Sequence, residues 1–418
     1  MGKGIAKRLF KGDKIIWIIF IVLFALSFIE VFSATSTLAY KNDNNYWQPI
    51  SQHVTYMMIG ICVAWIVHNM PMSWLKNLAQ VGYWTGIVFL VWAMVDGVSI
   101  NGEARWVRLF GINIQSSEVA KLGLVMLTAK IIGDGQSEDG TSGDVMKKVL
   151  IATGLVCALI VSSNLSTVLL ICFTTYLLLF IGKAPRKQML YLTGAGLIAG
   201  TVAFCAIMFT PAKLVENTPF DRVTTWRARI VRTIHPESAE KNQSGNDEQR
   251  MHANIAIASS NVIWGKGPGN SEQCDFLPQA FSDFIYAIVI EELGLIIGGL
   301  GVILLYLTLL YHTGQIAKEC DDPFASFLII GAALMIVIQA MAHMSISVGL
   351  GPVTGQPLPL VSRGGTSLVI NCVYIGMILC VSRYARETRV ARERAKSNSL
   401  RENAATENID APQTETNN

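Results

Sequence analysis

Charge is what this sequence has least of. Of its 418 residues, 15% are charged and 51% are hydrophobic, where a soluble domain carries about 25% charged residues. That shortage excludes a water-surrounded globule. Cysteine gives no disulfide framework. Six of the eight (Cys62, Cys157, Cys172, Cys205, Cys372 and Cys380) lie inside apolar runs, and only Cys274 falls in a long polar loop. The six histidines show no metal-ligand spacing, and no H-E-x-x-H, P-loop or dinucleotide fingerprint is present. A G-x-S-x-G nucleophile elbow is also missing. Nothing points to nucleic acid, since the net charge is only +3. No clear internal repeat is visible.

Long apolar runs are what the sequence does have. Ten are expected to span a membrane as helices, at 15–34, 52–70, 79–95, 117–133, 147–162, 165–182, 188–211, 283–312, 324–350 and 365–384. A span needs roughly 17–25 residues, and a helix satisfies its own backbone polar groups in lipid. The fold class is therefore an all-α integral membrane protein. The first run is too long, and too poor in a cleavage site, for a removable signal peptide. The fourth is the weakest, because it carries Glu118, Lys121 and Lys130.

Basic residues set the orientation. Lys3, Lys7, Arg8, Lys11 and Lys14 precede the first span, and Arg383, Arg386, Arg389, Arg392, Arg394 and Lys396 follow the last. Both termini are thus expected in the cytoplasm, with an even number of spans. The organisation that follows is a basic N-terminus at 1–14, a membrane domain at 15–384, and a cytoplasmic tail at 385–418. Four features then fall outside: the 101–115 loop, the Ser163-Asn164 turn, a loop of about seventy residues at 212–282, and the 351–364 loop. The middle of the large loop, 237–249, is expected to be mobile. Its flanks, with Trp226, Ile257 and Trp264, suit a membrane surface. The polar tail from Ser397 onward is expected to be disordered.

Four clusters carry chemistry. In Pro278-Gln279-Ala280-Phe281-Ser282-Asp283-Phe284-Ile285-Tyr286, a single carboxylate, Asp283, stands where a polar loop enters an apolar run. An acid there can reach both water and a lipid headgroup, as a base acting on a membrane-borne substrate must. In Gln115-Ser116-Ser117-Glu118-Val119-Ala120-Lys121, Ser116 or Ser117 suits a helix cap, and Glu118 suits the first turn. Glu118 and Lys121 stand three apart on one helix face. They read equally as a structural ion pair and as substrate contacts. Arg105 beside Trp106 is either an interfacial anchor or a fork for phosphate oxygens. Pro352, Pro357 and Pro359 stiffen a loop leading to Ser362-Arg363-Gly364-Gly365-Thr366-Ser367. There the tenth helix begins with amides that could take an anion, or with a plain cap after a rigid turn. Glu291 and Glu292 lie two turns into the eighth helix, either functional or paired with a base.

These blocks together resemble the SEDS (shape, elongation, division and sporulation) family. The matching stretches are Asn101–Trp106 with Gln115–Lys121, Trp264–Gly269, Leu277–Gly294 and Pro352–Ser367, within about 15–385. The resemblance implies a peptidoglycan glycosyltransferase that polymerises lipid II at the outer face of the cytoplasmic membrane. It makes Asp283 the essential acid and Glu118 with Lys121 the family's Ser-Glu-x-x-Lys pair. Arg105, Lys121, Arg222 and the Ser362, Gly364, Gly365, Thr366, Ser367 segment would meet the lipid pyrophosphate. It leaves room for a divalent cation, Mg or Mn, and implies no organic cofactor. Its implied partners are a class B penicillin-binding protein, other division proteins and membrane lipid. The chain looks more like the division-type than the elongation-type members. A precursor flippase is the alternative, kept open by Glu291 and Glu292.

The sequence also departs from the family pattern. Ser116 stands where a proline is usual, Asn164 where an aspartate is common, Gln279 for a glutamate, His343 for an asparagine, and Arg363 for a tyrosine. Asp283 is left as the one carboxylate expected to act as base.

Overall fold

The computed structural model describes residues 11–39, 47–100, 103–109, 111–137, 140–210, 245–274, 282–351 and 355–409, with isolated positions at 224, 226–228 and 231. Helices dominate. In chain order they are α1 (Lys14–Ala39), α2 (Trp47–Asn69), α3 (Met72–Asp96), α4 (Ser116–Asp134), α5 (Gly143–Ile160), α6 (Leu165–Ile181), α7 (Arg186–Phe209), α8 (Gly245–Ser259), α9 (Ile285–Leu293), α10 (Gly301–Glu319), α11 (Pro323–Ser347) and α12 (Thr366–Ile409). Seven helical segments among the described residues are long and apolar enough to cross a membrane. They lie on α1, α2, α3, α7, α11, α12 and the Leu295–Glu319 stretch that contains α10. The chain is therefore a multi-pass, mostly helical membrane protein.

α11 is mostly apolar and buried along most of its length, as a helix at the centre of a bundle must be. By contrast, only Met189 and Ile207 of α7 are buried. α3 and α4 meet along a seam of small residues. A Cβ added at Gly123 would stand 2.4 Å from the Gly82 carbonyl oxygen, and one at Gly86 would stand 2.7 Å from the Ala120 Cα. Such seams let backbones approach closely where no hydrophobic force acts between helices.

Contacts sort the loops into two ends. At one, Asp13 N–H donates to Ser382 Oγ at 2.7 Å, Lys11 pairs with Glu387 at 3.6 Å, and Lys76 pairs with Asp134 at 2.6 Å. The start of α1 and the end of the last span thus share an end. At the other, Ser362 Oγ donates to the Ser282 carbonyl at 2.8 Å. Gln356 Nε2 donates to Thr167 Oγ1 at 2.9 Å, and Thr366 Oγ1 donates to the Asn113 carbonyl at 3.2 Å. The four features expected outside converge there.

Several expectations need correction. The 98–115 region is not a plain loop but a three-stranded antiparallel sheet, β1 (Val98–Ile100), β2 (Glu103–Leu109) and β3 (Ile112–Gln115), in the order β1-β2-β3. Leu109 pairs with Ile112, and Gly111, just ahead of β3, takes φ +80°. Two further short strands, β4 (Gln136–Ser137) and β5 (Gly140–Thr141), pair at the opposite end. The fold is thus mostly helical rather than wholly so. The expected cap of α4 is also different: Gln115 takes the cap position without a side-chain bond, and Ser116 and Ser117 are the first helical residues.

The run at 283–312 is not one helix. Gly294, at φ +89° and ψ 164°, ends α9, and the chain resumes as a π-helical turn (Leu295–Leu300) leading into α10. That backbone conformation is open essentially to glycine alone. α8 does not simply lie on a surface, because Ala253 and Ala256 pack against Phe284, Ala287 and Ile288 of the α9 region. Of the stretch expected to be mobile, 237–244 lies outside the described residues, and 245–249 opens α8. The tail expected to be disordered is helical as far as Ile409. It continues the same helix, whose preceding turns carry the i,i+4 pairs Arg383–Glu387 and Arg389–Glu393.

Candidate active site

The site is built around the segment from Gly355 to Gly365. Glycines at φ +65° and +50° stand at its two ends. Between them Leu360, buried, holds φ +65°. A branched non-glycine residue in that region costs about 1–3 kcal/mol and persists only where its surroundings enforce it. The surroundings here do so from several elements. Ser27 of α1 donates to the Val361 carbonyl at 2.8 Å and accepts from His53 Nε2 of α2 at 3.0 Å. Tyr306 of α10 donates to the Pro359 carbonyl. From α11, Gln339 Nε2 donates to the Pro357 carbonyl at 3.0 Å, and His343 Nδ1 to the Gln356 carbonyl at 2.8 Å. A carbonyl can only accept, so Nδ1 carries the proton.

Asp283 lies against this segment. A Cβ built on Gly355 would stand 3.8 Å from Asp283 Oδ2. Ser282 Oγ donates to Asp283 Oδ1 at 3.1 Å, and the Ser282 carbonyl is held by Ser362, whose hydroxyl also accepts from Leu358 N–H at 2.8 Å. Asp283 is half-buried just ahead of α9, whose Ile285–Ile290 are fully buried. An acid so placed is reachable from one side and held rigidly on the other.

Glu118 and Lys121 are buried together, with Nζ 2.7 Å from Oε1. The contact is close, though Oε1 falls outside good hydrogen-bond alignment. Lys121 Nζ also donates to Gln339 Oε1 at 2.8 Å. The pair is thus joined through Gln339 to Pro357, beneath the segment rather than open above it. Gly364 and Gly365 are half-buried at the start of α12, and Thr366 and Ser367 are buried, with Thr366 bound to β3 through Asn113 and Gln115. Arg363 donates to Gln52 at 3.3 Å, and burial holds its guanidinium below its ordinary pKa. Of Arg105 only the backbone is described, in β2, and Arg222 lies outside the described residues.

Glu291 and Glu292 close the far end of α9. Glu291 pairs with Lys266 at 2.8 Å and accepts from Ser271 Oγ at 2.5 Å. The hydrogen bond to Glu291 raises the Lys266 pKa. Glu292 accepts from Ser33 of α1. Backbone amides of Lys266 and Gly267 cap the Glu291 and Glu292 carbonyls, both at 2.9 Å. These acids therefore tie the 261–274 loop to α9. Among the described residues no group of three or more His, Cys, Asp or Glu stands together as metal ligands.

Sequence reading missed Gln339, Gln356, Thr167 and Ser27, and noted His343 only as a departure from the family pattern. One signal was present: Gln339, His343 and Ser347 recur at i,i+4 in an otherwise apolar helix, which marks a single polar face.

The comparisons agree with this architecture. The sequence pattern of a family described as cell cycle protein (FtsW, RodA and SpoVE) matches residues 13–387. A relative from Halomonas elongata, named probable peptidoglycan glycosyltransferase FtsW, is 31% identical over 89% of this chain and 90% of its own. One of the same name from Coxiella burnetii is 29% identical over 88% and 95%. Among solved structures, a chain from a work titled as the coordination of polymerization and crosslinking by a peptidoglycan synthase complex aligns with a TM-score of 0.68. It is 22% identical and covers 90% of this chain and 98% of its own. The rod shape determining protein RodA of Thermus thermophilus aligns with a TM-score of 0.60 at 22% identity, over 89% and 97%. These likenesses carry the fold, and the match across nearly the whole membrane domain carries the family: the chain belongs to the FtsW, RodA and SpoVE family of cell cycle proteins, the SEDS family its motifs resemble.

Proposed function

We propose that this chain is a peptidoglycan glycosyltransferase that polymerises lipid II at the outer face of the cytoplasmic membrane, with ten spans and both termini in the cytoplasm. The observation that carries the reading is the placement of Asp283 against the Gly355–Gly365 segment, at the end of the bundle where the four expected outer features meet. Asp283 accepts the proton of the acceptor sugar 4-hydroxyl as that oxygen attacks the lipid-linked donor. A positioned base contributes roughly 10²–10⁴-fold. Charge on the departing pyrophosphate is met by the half-buried start of α12 at Gly364 and Gly365, with Arg105 and Arg222 as the cations assigned to it. Among the described residues a Mg or Mn ion would find one carboxylate at this site, Asp283, and would take its remaining oxygens from the pyrophosphate, as magnesium commonly does.

The division-type role is favoured by the names of the curated relatives. The partner that fits is a class B penicillin-binding protein, a reading supported by the synthase-complex likeness. A flippase draws less support, since Glu291 and Glu292 are tied to Lys266 and Ser33 rather than lining a path.

The test is Asp283→Asn, purified and given labelled lipid II. Polymer formation should fall at least about 10²-fold with the melting temperature unchanged, because Asp283 is half-exposed. Near wild-type polymerisation would remove Asp283 as the base.

A further inference from the structure

Gln339 and His343 stand four residues apart on α11, so they share one face, and they grip consecutive carbonyls, Pro357 at 3.0 Å and Gln356 at 2.8 Å. The next residue back along the chain is Gly355, the one that lies against Asp283. Gln339 does a second thing at its other end. Its Oε1 accepts from Lys121 Nζ at 2.8 Å, and Lys121 is paired with Glu118 at 2.7 Å. Gln339 is 1% exposed, so both bonds are made away from water, where a lost partner is felt most.

An amide does both jobs at once without carrying a charge. It accepts on one atom and donates on the other. The ammonium of Lys121 cannot accept, and the carbonyl of Pro357 cannot donate. The charged pair on α4 is therefore converted, through one amide, into a donor aimed at the segment. We infer that Gln339 is a positioning residue for Asp283: it couples the buried Glu118–Lys121 pair to the Pro357 carbonyl and so fixes the backbone against which the base is held, with His343 clamping the neighbouring carbonyl. This assigns the ion pair a task that needs no contact with substrate, and it rests on the reading of Asp283 as the base.

Gln339→Glu separates the roles. The carboxylate still meets Lys121 and keeps the volume, but it has no hydrogen to give Pro357. Gln339→Met removes both bonds at similar size. A misplacement of about 1 Å at a reacting group can cost about 10²-fold. In full-length protein, Gln339→Glu should lower kcat for lipid II polymerisation by about 10- to 100-fold while KM stays within about threefold, with some loss of melting temperature because the buried Pro357 carbonyl loses its donor. The acid limb of its pH–rate profile should also move, because the surroundings of the Asp283 carboxylate change. Gln339→Met should lose activity and melting temperature together.

Asp283→Asn is measured alongside. If it is inactive while Gln339→Glu keeps wild-type kcat and an unmoved acid limb, the relay is wrong and the base stands. If Asp283→Asn is active, the base reading fails. If Gln339→Glu then still loses kcat, the segment acts on something other than Asp283, and the positioning proposal is overturned with it. A Gln339→Glu loss seen entirely in KM or in melting temperature would also overturn it.

Discussion

The Glu118–Lys121 pair offers the sharpest quantitative test. Both side chains are shut away from solvent, with exposures of 2% and 1%. Changing one partner strands the other charge. Glu118→Gln leaves the ammonium with the Gln339 amide alone, and Lys121→Met leaves a carboxylate with no cation. Breaking a buried pair from one side costs about 3–5 kcal/mol, so the two single changes would sum to about 6–10 kcal/mol if independent. The double change leaves no charge at all. It keeps most of the volume and forfeits chiefly the Lys121–Gln339 bond, about 1.5–3 kcal/mol for a bond to a charged group. The double variant should thus be more stable than either single one, with a coupling energy of at least about 3 kcal/mol. Equilibrium unfolding in mixed micelles, followed by helicity, measures all four corners of the cycle. Additive losses, or single losses under about 1 kcal/mol, would mean that the two charges are hydrated and that the burial argument is wrong.

Two further outcomes are expected from backbone geometry. Gly294→Ala places a Cβ 2.5 Å from the Ile263 carbonyl oxygen at a φ of +89°, so it should lower the melting temperature sharply, whereas Gly314→Ala, with nothing within 4 Å, should leave it unchanged. Gly365→Val forces a branched residue to φ +50° and should destabilise, but Gly365→Asn, which tolerates the left-handed region, should keep the melting temperature. If the amides there meet pyrophosphate, both variants should bind lipid II more weakly in a vesicle or micelle binding assay, and unchanged affinity in the Asn variant would eliminate that contact.

What the sequence disclosed follows from what its alphabet records. Apolar runs mark helices because lipid leaves no other way to satisfy a backbone, and helices occupy each of the ten stretches the runs marked. Asp283 stood out as a candidate because one acid at a polar–apolar boundary is anomalous, and the Glu118–Lys121 pair was legible because a spacing of three places two residues on one face. The break at Gly294 was hidden: Leu293-Gly294-Leu295 reads as uninterrupted apolar sequence, and only the backbone angles show the turn. The sheet at 98–115 was hidden for a related reason, since its strands are short and its polar residues look like loop. Gln339 was harder still. A lone glutamine in an apolar helix states that it needs partners, but not that they are an ammonium on α4 and a carbonyl eighteen residues away.

The small-residue seam between α3 and α4 bears on how this protein reaches its membrane. α4 carries Glu118, Lys121 and Lys130, and charged residues are unfavourable in an inserting helix, the more so toward its centre. It is a poor candidate to enter lipid alone. Its glycine face, though, matches α3 backbone to backbone, with Gly123 against Gly82 and Ala120 against Gly86. In the ten-span arrangement proposed above, α4 would enter as the second arm of a hairpin whose first arm, α3, is apolar enough to cross on its own. Bulk added at the seam would then act first on biogenesis: the ribosome-bound chain would present a charged helix with no sheath, and the loss would appear as missing protein before it appeared as missing activity.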